Sequence, residues 1–262
     1  MLGKLIKHEY RATYKLFCAI YGTIAFITLF TIFTTNVSLF DNMPFRPLRT
    51  ISTVAFVIGC IALPIGSIIY IVYRFYKNLF TDEGYLTFTL PVSRMQIIGS
   101  KYLVSCSWFA GSLLLLFGSI LLYIKCNSGL SDLVDGLKEV INELINTAFT
   151  DSTHVKLYLC IYAISYVLYV VAFFYLAFAF GQLIIPNHKI VGALLAYLAL
   201  QLVEQVISLL VMGLFMVFTS YSLKSPTLPG NYYLVYGLIL FAMTFLWLFF
   251  TNLICTKKLN LA

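Results

Sequence analysis

The chain has 262 residues, of which 61% are hydrophobic and 10% charged, with a mean hydropathy of +0.94 and a net charge of +7. Because a soluble domain carries about a quarter charged residues, this composition excludes a water-exposed globular protein and indicates an integral membrane protein. The basic residues stand in short clusters beside apolar stretches, which argues against a nucleic-acid partner and favours anionic lipid headgroups as partners.

Six stretches are long and apolar enough to cross a bilayer as helices, which takes roughly 20 residues each. We therefore predict an all-α polytopic membrane protein with six transmembrane helices. No linker divides the chain, so residues 1–262 are read as a single transmembrane domain. The predicted spans are 17–35, 51–73, 101–124, 157–181, 190–218 and 232–254.

Lysine and arginine are distributed unevenly between the two sides of these spans. Eleven of the 17 lie on the side of the two termini and of the segment between spans two and three, against six on the other side. Since cytoplasmic segments carry the excess of basic residues, both termini are expected in the cytoplasm.

The first 16 residues have an amphipathic pattern. Lys4, Lys7, Arg11 and Lys15 recur at helical spacing, and most apolar residues fall on the opposite side. This pattern predicts an N-terminal interfacial helix over residues 1–16, lying along the inner leaflet. The alternative is a basic flank that only enforces the orientation of span one.

The cytoplasmic loop at residues 74–100 is longer than two neighbouring spans need. Residues 81–84 have turn chemistry, and Ser93 with Gln96 forms a capping-box pattern that predicts the start of the next helix. Between them, residues 85–90 are apolar although they are expected at a cytoplasmic face. We interpret this loop as a docking element for a protein partner, and the alternative is an interfacial or re-entrant hairpin without a partner.

The extracellular segment 126–156 carries apolar residues at spacings of three and four, with charged residues between them. This periodicity predicts an amphipathic helix. It is compatible with a cap on the bundle, a gate at an exit, or a helix on the outer leaflet.

Polar side chains gather on one helical face of span five. Glu204 among them is the acid within the predicted spans, where a charge should face a bundle interior and find partners. We interpret this face as a translocation path, and the alternative is a protonated glutamic acid that holds helices together. Threonines on span one and tyrosines on span four, including Tyr162, Tyr166 and Tyr169, are interpreted as packing and anchoring residues. The predicted path residues are Tyr197, Gln201, Glu204, Gln205 and Ser208.

Enzyme motifs are missing from the sequence. The three histidines, His8, His154 and His188, are scattered, and there is no zinc-protease, nucleophile-elbow or phosphate-loop motif. The six cysteines lack metal or redox spacing and are read as packing thiols. We expect a protein without catalytic residues, bound metal or cofactor of its own.

The stretch Thr-Asp-Glu-Gly-Tyr-Leu-Thr-Phe-Thr-Leu-Pro-Val-Ser at residues 81–93 resembles a segment of bacterial permease subunits of type-2 ABC transporters. The resemblance implies that residues 1–16 are the family's elbow helix and that residues 78–90 contain its coupling helix. It also implies a separate cytoplasmic ATPase that binds ATP, a second or homologous permease copy, and the bacterial plasma membrane as location. The residues implied at the ATPase contact are Lys77, Asn78, Thr81, Asp82, Glu83, Gly84 and Tyr85.

The function expected from these features is that of a permease subunit of an ABC exporter. Its substrate would be hydrophobic or amphipathic: a peptide, a drug or a lipid-linked molecule. One alternative is a non-transporting immunity or sensor protein that binds a partner through its cytoplasmic loop. Another is a membrane-embedded enzyme, which is disfavoured because enzyme motifs are missing from the sequence.

Overall fold

The computed structural model describes residues 2–37, 45–80, 92–126, 152–184, 189–219 and 230–257. Nearly every described residue is helical, so the predicted all-α class is confirmed. Each helix is long and apolar enough to cross a membrane. The helices are α1 (Leu2–Asn36), α2 (Arg46–Phe80), α3 (Arg94–Cys126), α4 (Ser152–Ile184), α5 (Lys189–Thr219) and α6 (Gly230–Lys257).

The six helices match the six predicted spans but extend beyond them. Helices α1 and α2 have 35 residues each, which corresponds to about 52 Å at 1.5 Å per residue. A hydrocarbon core is only about 30 Å thick, so their ends reach past it. Hydropathy marks the apolar part of a helix, whereas Lys, Arg and Glu continue a helix readily into the interface.

The N-terminal segment is continuous with the first span. Residues 2–16 form the opening turns of α1 without a break, so the structure does not show the separate interfacial helix expected there. Lys4, Lys7, Arg11 and Lys15 are all exposed. Thr13 and Phe17, on another face of the same helix, are buried.

The chain divides into two compact units, and the division falls inside α2 and α3. The first unit comprises Met1–Ile71 with Gly99–Glu143, and the second comprises Val72–Ile98 with Leu144–Ala262. Helices α2 and α3 therefore contribute to both units, whereas α4, α5 and α6 belong to the second.

Aromatic packing joins α1, α2 and α3 in the first unit. The ring of Phe17 stacks on Trp108 with centroids 4.6 Å apart and meets Tyr70 edge-on at 5.5 Å. The Tyr21 hydroxyl donates to the carbonyl of Trp108 at 2.5 Å, and the Trp108 indole donates to Thr13 at 2.9 Å. These contacts place the N-terminal half of α1 against α3.

Buried hydroxyl groups link the same helices further along. The Thr31 hydroxyl donates to the carbonyl of Ser52 at 3.0 Å, and Thr34 lies 2.7 Å from the Ser52 hydroxyl. Ser67 of α2 and Ser112 of α3 share a hydrogen bond of 2.7 Å. Such interhelical bonds hold helices together where lipid, unlike water, offers no competing hydrogen bonds.

A buried ion pair lies in the first unit. Lys101 of α3 donates to the carboxylate of Glu9 in α1, and both side chains are largely shielded from solvent. The predicted third span begins at Lys101, and the side chain of this residue is buried in the structure.

In the second unit α4 packs against both α5 and α6. A Cβ atom at Gly181 of α4 would collide with the backbone of Gly192 and Ala193 in α5, so the two helices touch there through their backbones. Gly237 of α6 lies against Tyr162 of α4, where an added Cβ would be 3.1 Å from the Tyr162 Cα. Glycine is required at the Gly181 contact because any side chain would hold the two helices apart, whereas a side chain at Gly237 would push α4 away by a few tenths of an ångström.

Candidate functional site

Glu204 lies at the centre of the apolar stretch Val191–Phe218 of α5 and is half-buried. A charged carboxylate at this depth costs roughly 2.5–3.5 kcal/mol on insertion scales, so its surroundings have to offset that cost. Among the described residues no Lys or Arg forms an ion pair with it. Its neighbours are therefore uncharged polar and aromatic groups.

Four tyrosines lie within electrostatic range of the Glu204 carboxyl. Tyr162, Tyr166 and Tyr169 of α4 and Tyr236 of α6 all interact with it electrostatically. The three on α4 follow a spacing of four and three residues, so helical geometry puts them on one face. The predicted path residue thus faces a set of phenol groups on two neighbouring helices.

The tyrosines also pack on one another. Tyr162 lies 6.1 Å from Tyr166, 5.9 Å from Tyr233 and 6.1 Å from Tyr236, between ring centroids. Tyr232 stacks on Tyr236 at 5.7 Å. We call this group the tyrosine cluster; it consists of Tyr162, Tyr166, Tyr169, Tyr232, Tyr233 and Tyr236.

The buried hydroxyl of Tyr169 has the Glu204 carboxyl and the Trp247 indole as polar neighbours. Neither the Tyr169 hydroxyl nor the Trp247 nitrogen makes a hydrogen bond of normal length and angle to a described residue. Tyr169 is only 2% exposed. A small shift would bring these donors into hydrogen-bond geometry with the carboxyl or with a ligand.

The other predicted path residues share the face of Glu204 only in part. Tyr197, Gln201 and Ser208 are half-buried like Glu204, whereas Gln205 is exposed. Tyr197 stacks on Phe174 at 5.5 Å and meets Phe173 at 5.6 Å. The Ser208 hydroxyl donates to the backbone carbonyl of Gln205 within α5, at 2.8 Å. Tyr197 and Glu204 of α5 therefore both lie against α4, whereas Gln205 is outside that contact.

Most of the predicted ATPase contact falls outside the described residues. This applies to Thr81, Asp82, Glu83, Gly84 and Tyr85. Lys77 and Asn78 are described: both lie in the last turn of α2, Lys77 exposed and Asn78 half-buried. The helices shorten the segment between them, because α2 continues to Phe80 and α3 begins at Arg94.

The helix ends on either side of residues 81–93 are firmly packed in the second unit. Phe75 stacks on Tyr175 of α4 with centroids 3.8 Å apart, and Leu79 is fully buried. The carbonyl of Ser93 accepts hydrogen bonds from the backbone of Gln96 and Ile97, which confirms the predicted helix start.

Arg94, the first residue of α3, contacts the C-terminal end of α6, which belongs to the same unit. Its guanidinium donates to the carbonyl of Cys255 at 3.4 Å, in the final turn of α6. A cation at a helix C-terminus satisfies free carbonyls and complements the helix dipole. The start of α3 and the end of α6 therefore lie together.

Sequence reasoning missed the tyrosine cluster and the Glu9–Lys101 pair. The spacing of Tyr162, Tyr166 and Tyr169 is visible in the sequence but is typical of packing residues, because the sequence does not give the register between α4 and α5.

Among the described residues, no group of three His, Cys, Asp or Glu is arranged to hold a metal ion. All six cysteines are free thiols. Comparisons with protein-family models, curated proteins and solved structures return no match.

Proposed function

We propose that this chain is the membrane-spanning permease subunit of an ABC exporter in a bacterial plasma membrane. A separate cytoplasmic subunit binds and hydrolyses ATP, and residues 81–93 dock on it. A second permease copy or a homologous permease completes the complex. The substrate is hydrophobic or amphipathic.

The observation that carries this proposal is how the ends of α2 and α3 are anchored. Phe75 stacks on Tyr175 of α4, and Arg94 binds the end of α6 at Cys255. Both helix ends therefore belong to the unit that contains α4, α5 and α6. A partner that moves residues 81–93 acts directly on that unit.

The same unit contains Glu204 and the tyrosine cluster, which we propose as the substrate path. A partner shifts a two-state bundle only through contacts that differ between its states. Rigid helix ends transmit such differences better than a mobile linker, because the force is not absorbed by backbone rotation. This arrangement supports a chain that converts hydrolysis in another subunit into movement within the membrane.

The proposal is tested by co-purification from the membranes of the cells that naturally produce this chain. The full-length chain carries an affinity tag and is purified in detergent, and the recovered material is assayed for ATP hydrolysis. We expect the ATPase to co-purify with the wild-type chain. Reversal of both acids in the docking segment, Asp82→Lys with Glu83→Lys, should reduce the recovered ATPase at least tenfold.

The matched control reverses two acids in the segment predicted on the opposite face, Asp132→Lys with Asp135→Lys. It should leave the recovered ATPase unchanged. Equal recovery with both double variants would contradict the docking role. A stable partner without ATPase activity would favour the immunity or sensor alternative instead.

A further inference from the structure

We propose that Glu204 and the tyrosine cluster form a binding site for a hydrophobic organic cation. The ammonium or phosphonium centre would lie beside the Glu204 carboxylate and against the faces of the tyrosine rings. The proposal names the substrate class of the proposed export path and to that extent rests on the proposed function.

Glu204 has no Lys or Arg countercharge among the described residues. Glu204 lies at mid-span, and among the described residues it has phenol groups and no Lys or Arg as neighbours. An acid within a span is expected to pair with a cation or to face a functional cavity. A cationic ligand supplies the charge that the described part of the chain does not.

The groups near the Glu204 carboxyl are mostly aromatic rings. Tyr162, Tyr166 and Tyr236 present aromatic rings within electrostatic range of the same carboxyl. Tyrosine and tryptophan rings attract cations through their faces, and this attraction is strongest when the cation is desolvated. Rings combined with one carboxylate are the usual protein environment for quaternary ammonium groups.

Tyr169, which is only 2% exposed, lies at the base of the site, and its hydroxyl has the Glu204 carboxyl and the Trp247 indole as polar neighbours. This hydroxyl makes no hydrogen bond of normal length and angle to a described residue. The neighbouring Trp247 nitrogen is in the same state. The hydroxyl and the indole N–H can donate to the carboxylate or to an acceptor of the ligand after a small shift.

Other ligand classes fit less well. A hard metal ion takes six or more oxygen ligands, whereas the described residues hold no group of three acidic or metal-binding side chains. An anion would be repelled by Glu204. A fully hydrated cation would have to lose its water among aromatic rings, so a cation with an apolar shell is favoured.

The site is open at the surface of its unit. Tyr166 of the tyrosine cluster is 45% exposed. The tyrosine cluster extends from Tyr169, near the middle of the apolar stretch Leu157–Ile184, towards the beginnings of α4 and α6. A hydrophobic cation can therefore enter from the apolar surroundings and meet aromatic rings along half of the span.

The test measures binding of tetraphenylphosphonium to the full-length chain in lipid nanodiscs, by equilibrium dialysis with radiolabelled probe. Tetraphenylborate has the same shape and the opposite charge. We expect saturable binding of the phosphonium and at least tenfold weaker binding of the borate. Glu204→Gln keeps the size of the side chain and should weaken phosphonium binding at least tenfold.

Two further variants separate the site from general effects of charge and folding. Glu143→Gln removes one negative charge from the segment predicted outside the membrane and should leave binding unchanged. Tyr236→Leu removes one ring and should weaken binding threefold or more, whereas Tyr236→Phe should retain it within twofold. If Glu204→Gln does not insert, the Tyr236 pair still decides the question.

Equal binding of the phosphonium and the borate, or unchanged phosphonium binding to Glu204→Gln, overturns the site. Saturable binding that is insensitive to both Tyr236 variants overturns the role of the rings. Because no ATPase is present in this assay, its outcome is separate from the proposed function. Loss of phosphonium binding in Glu204→Gln would support the site even if residues 81–93 bound no ATPase.

Discussion

Gly181 and Gly192 meet where α4 and α5 touch, and their contact determines what Glu204 faces. The chain runs in opposite directions along the two helices, so each step from Gly181 back along α4 matches a step forward along α5. Phe174 accordingly lies against Tyr197, and twelve residues from the glycines Tyr169 lies beside Glu204. The glycine contact and the candidate site are therefore about 18 Å apart on the same helix pair.

Gly181→Ala should destabilise the second unit, because the added Cβ collides with backbone atoms that cannot rotate away. Forcing extra volume into a tight contact costs roughly 1–3 kcal/mol. We expect a lower thermal midpoint in detergent, followed by loss of monodispersity on size exclusion. Gly213→Ala in α5 is the control, since nothing lies within 4 Å of its added Cβ. Equal midpoints for the two variants would refute the backbone contact.

The Glu9–Lys101 pair should behave as a buried ion pair. Lys101→Met removes the ammonium group that binds the Glu9 carboxylate, and breaking a buried pair from one side costs about 3–5 kcal/mol, whereas replacing both groups is often neutral. We therefore expect a large drop in stability for Lys101→Met and substantial recovery in the double variant Glu9→Leu with Lys101→Met. Lys15→Met, at an exposed position of α1, should change stability by less than about 0.5 kcal/mol. A double variant as unstable as the single one would count against the pair.

Thr31 and Thr28 provide a matched comparison of hydrogen bonds between and within helices. Both are buried, but the Thr31 hydroxyl bonds to Ser52 of α2, whereas the Thr28 hydroxyl bonds to Ile24 of its own helix and to no other described residue. Hydrogen bonds between membrane helices contribute on average about 0.6 kcal/mol and up to about 1.7 kcal/mol. Thr31→Val should therefore lower stability measurably in urea or heat, and Thr28→Val should not. The reverse order would show that the α1–α2 bond is unimportant.

The orientation is tested by labelling single cysteines with a membrane-impermeant maleimide on a background that lacks the six native cysteines. Eleven basic residues on the predicted cytoplasmic side predict that Ser131→Cys is labelled from outside. A cysteine placed at Lys4 should be labelled only after the membrane is opened. Labelling of the Ser131 position from inside alone would invert the topology.

The number and order of the helices could be predicted because hydropathy reports directly on the bilayer. The helical spacing of residues 1–16 predicts a helix there, but neither this spacing nor hydropathy shows that it is continuous with the first span from Leu2 onward. The start of α3 was predicted from Ser93, because capping chemistry is local. A single sequence therefore predicts features that depend on local capping chemistry or on contact with lipid.

Pairing between distant residues could not be predicted in the same way. Glu9 and Lys101 are 92 positions apart. From the sequence alone, a charged residue near the end of a span is interpreted as part of the polar segment that flanks the span. Glu204 was identified because an acid within a span is costly. Its tyrosine neighbours depend on the register set by Gly181, Gly192 and Gly237, and single-sequence periodicity does not contain that register.

The central claim is that this chain transmits ATP hydrolysis in a separate subunit into the membrane. It is tested most directly by the steady-state ATPase rate of the subunit that co-purifies with this chain, measured with the full-length chain in lipid nanodiscs. We expect the wild-type chain to change that rate at least threefold, and Asp82→Lys with Glu83→Lys to abolish the change, while Asp132→Lys with Asp135→Lys retains it. A hydrolysis rate that is identical with the wild-type chain, with either double variant and with empty nanodiscs would contradict the claim.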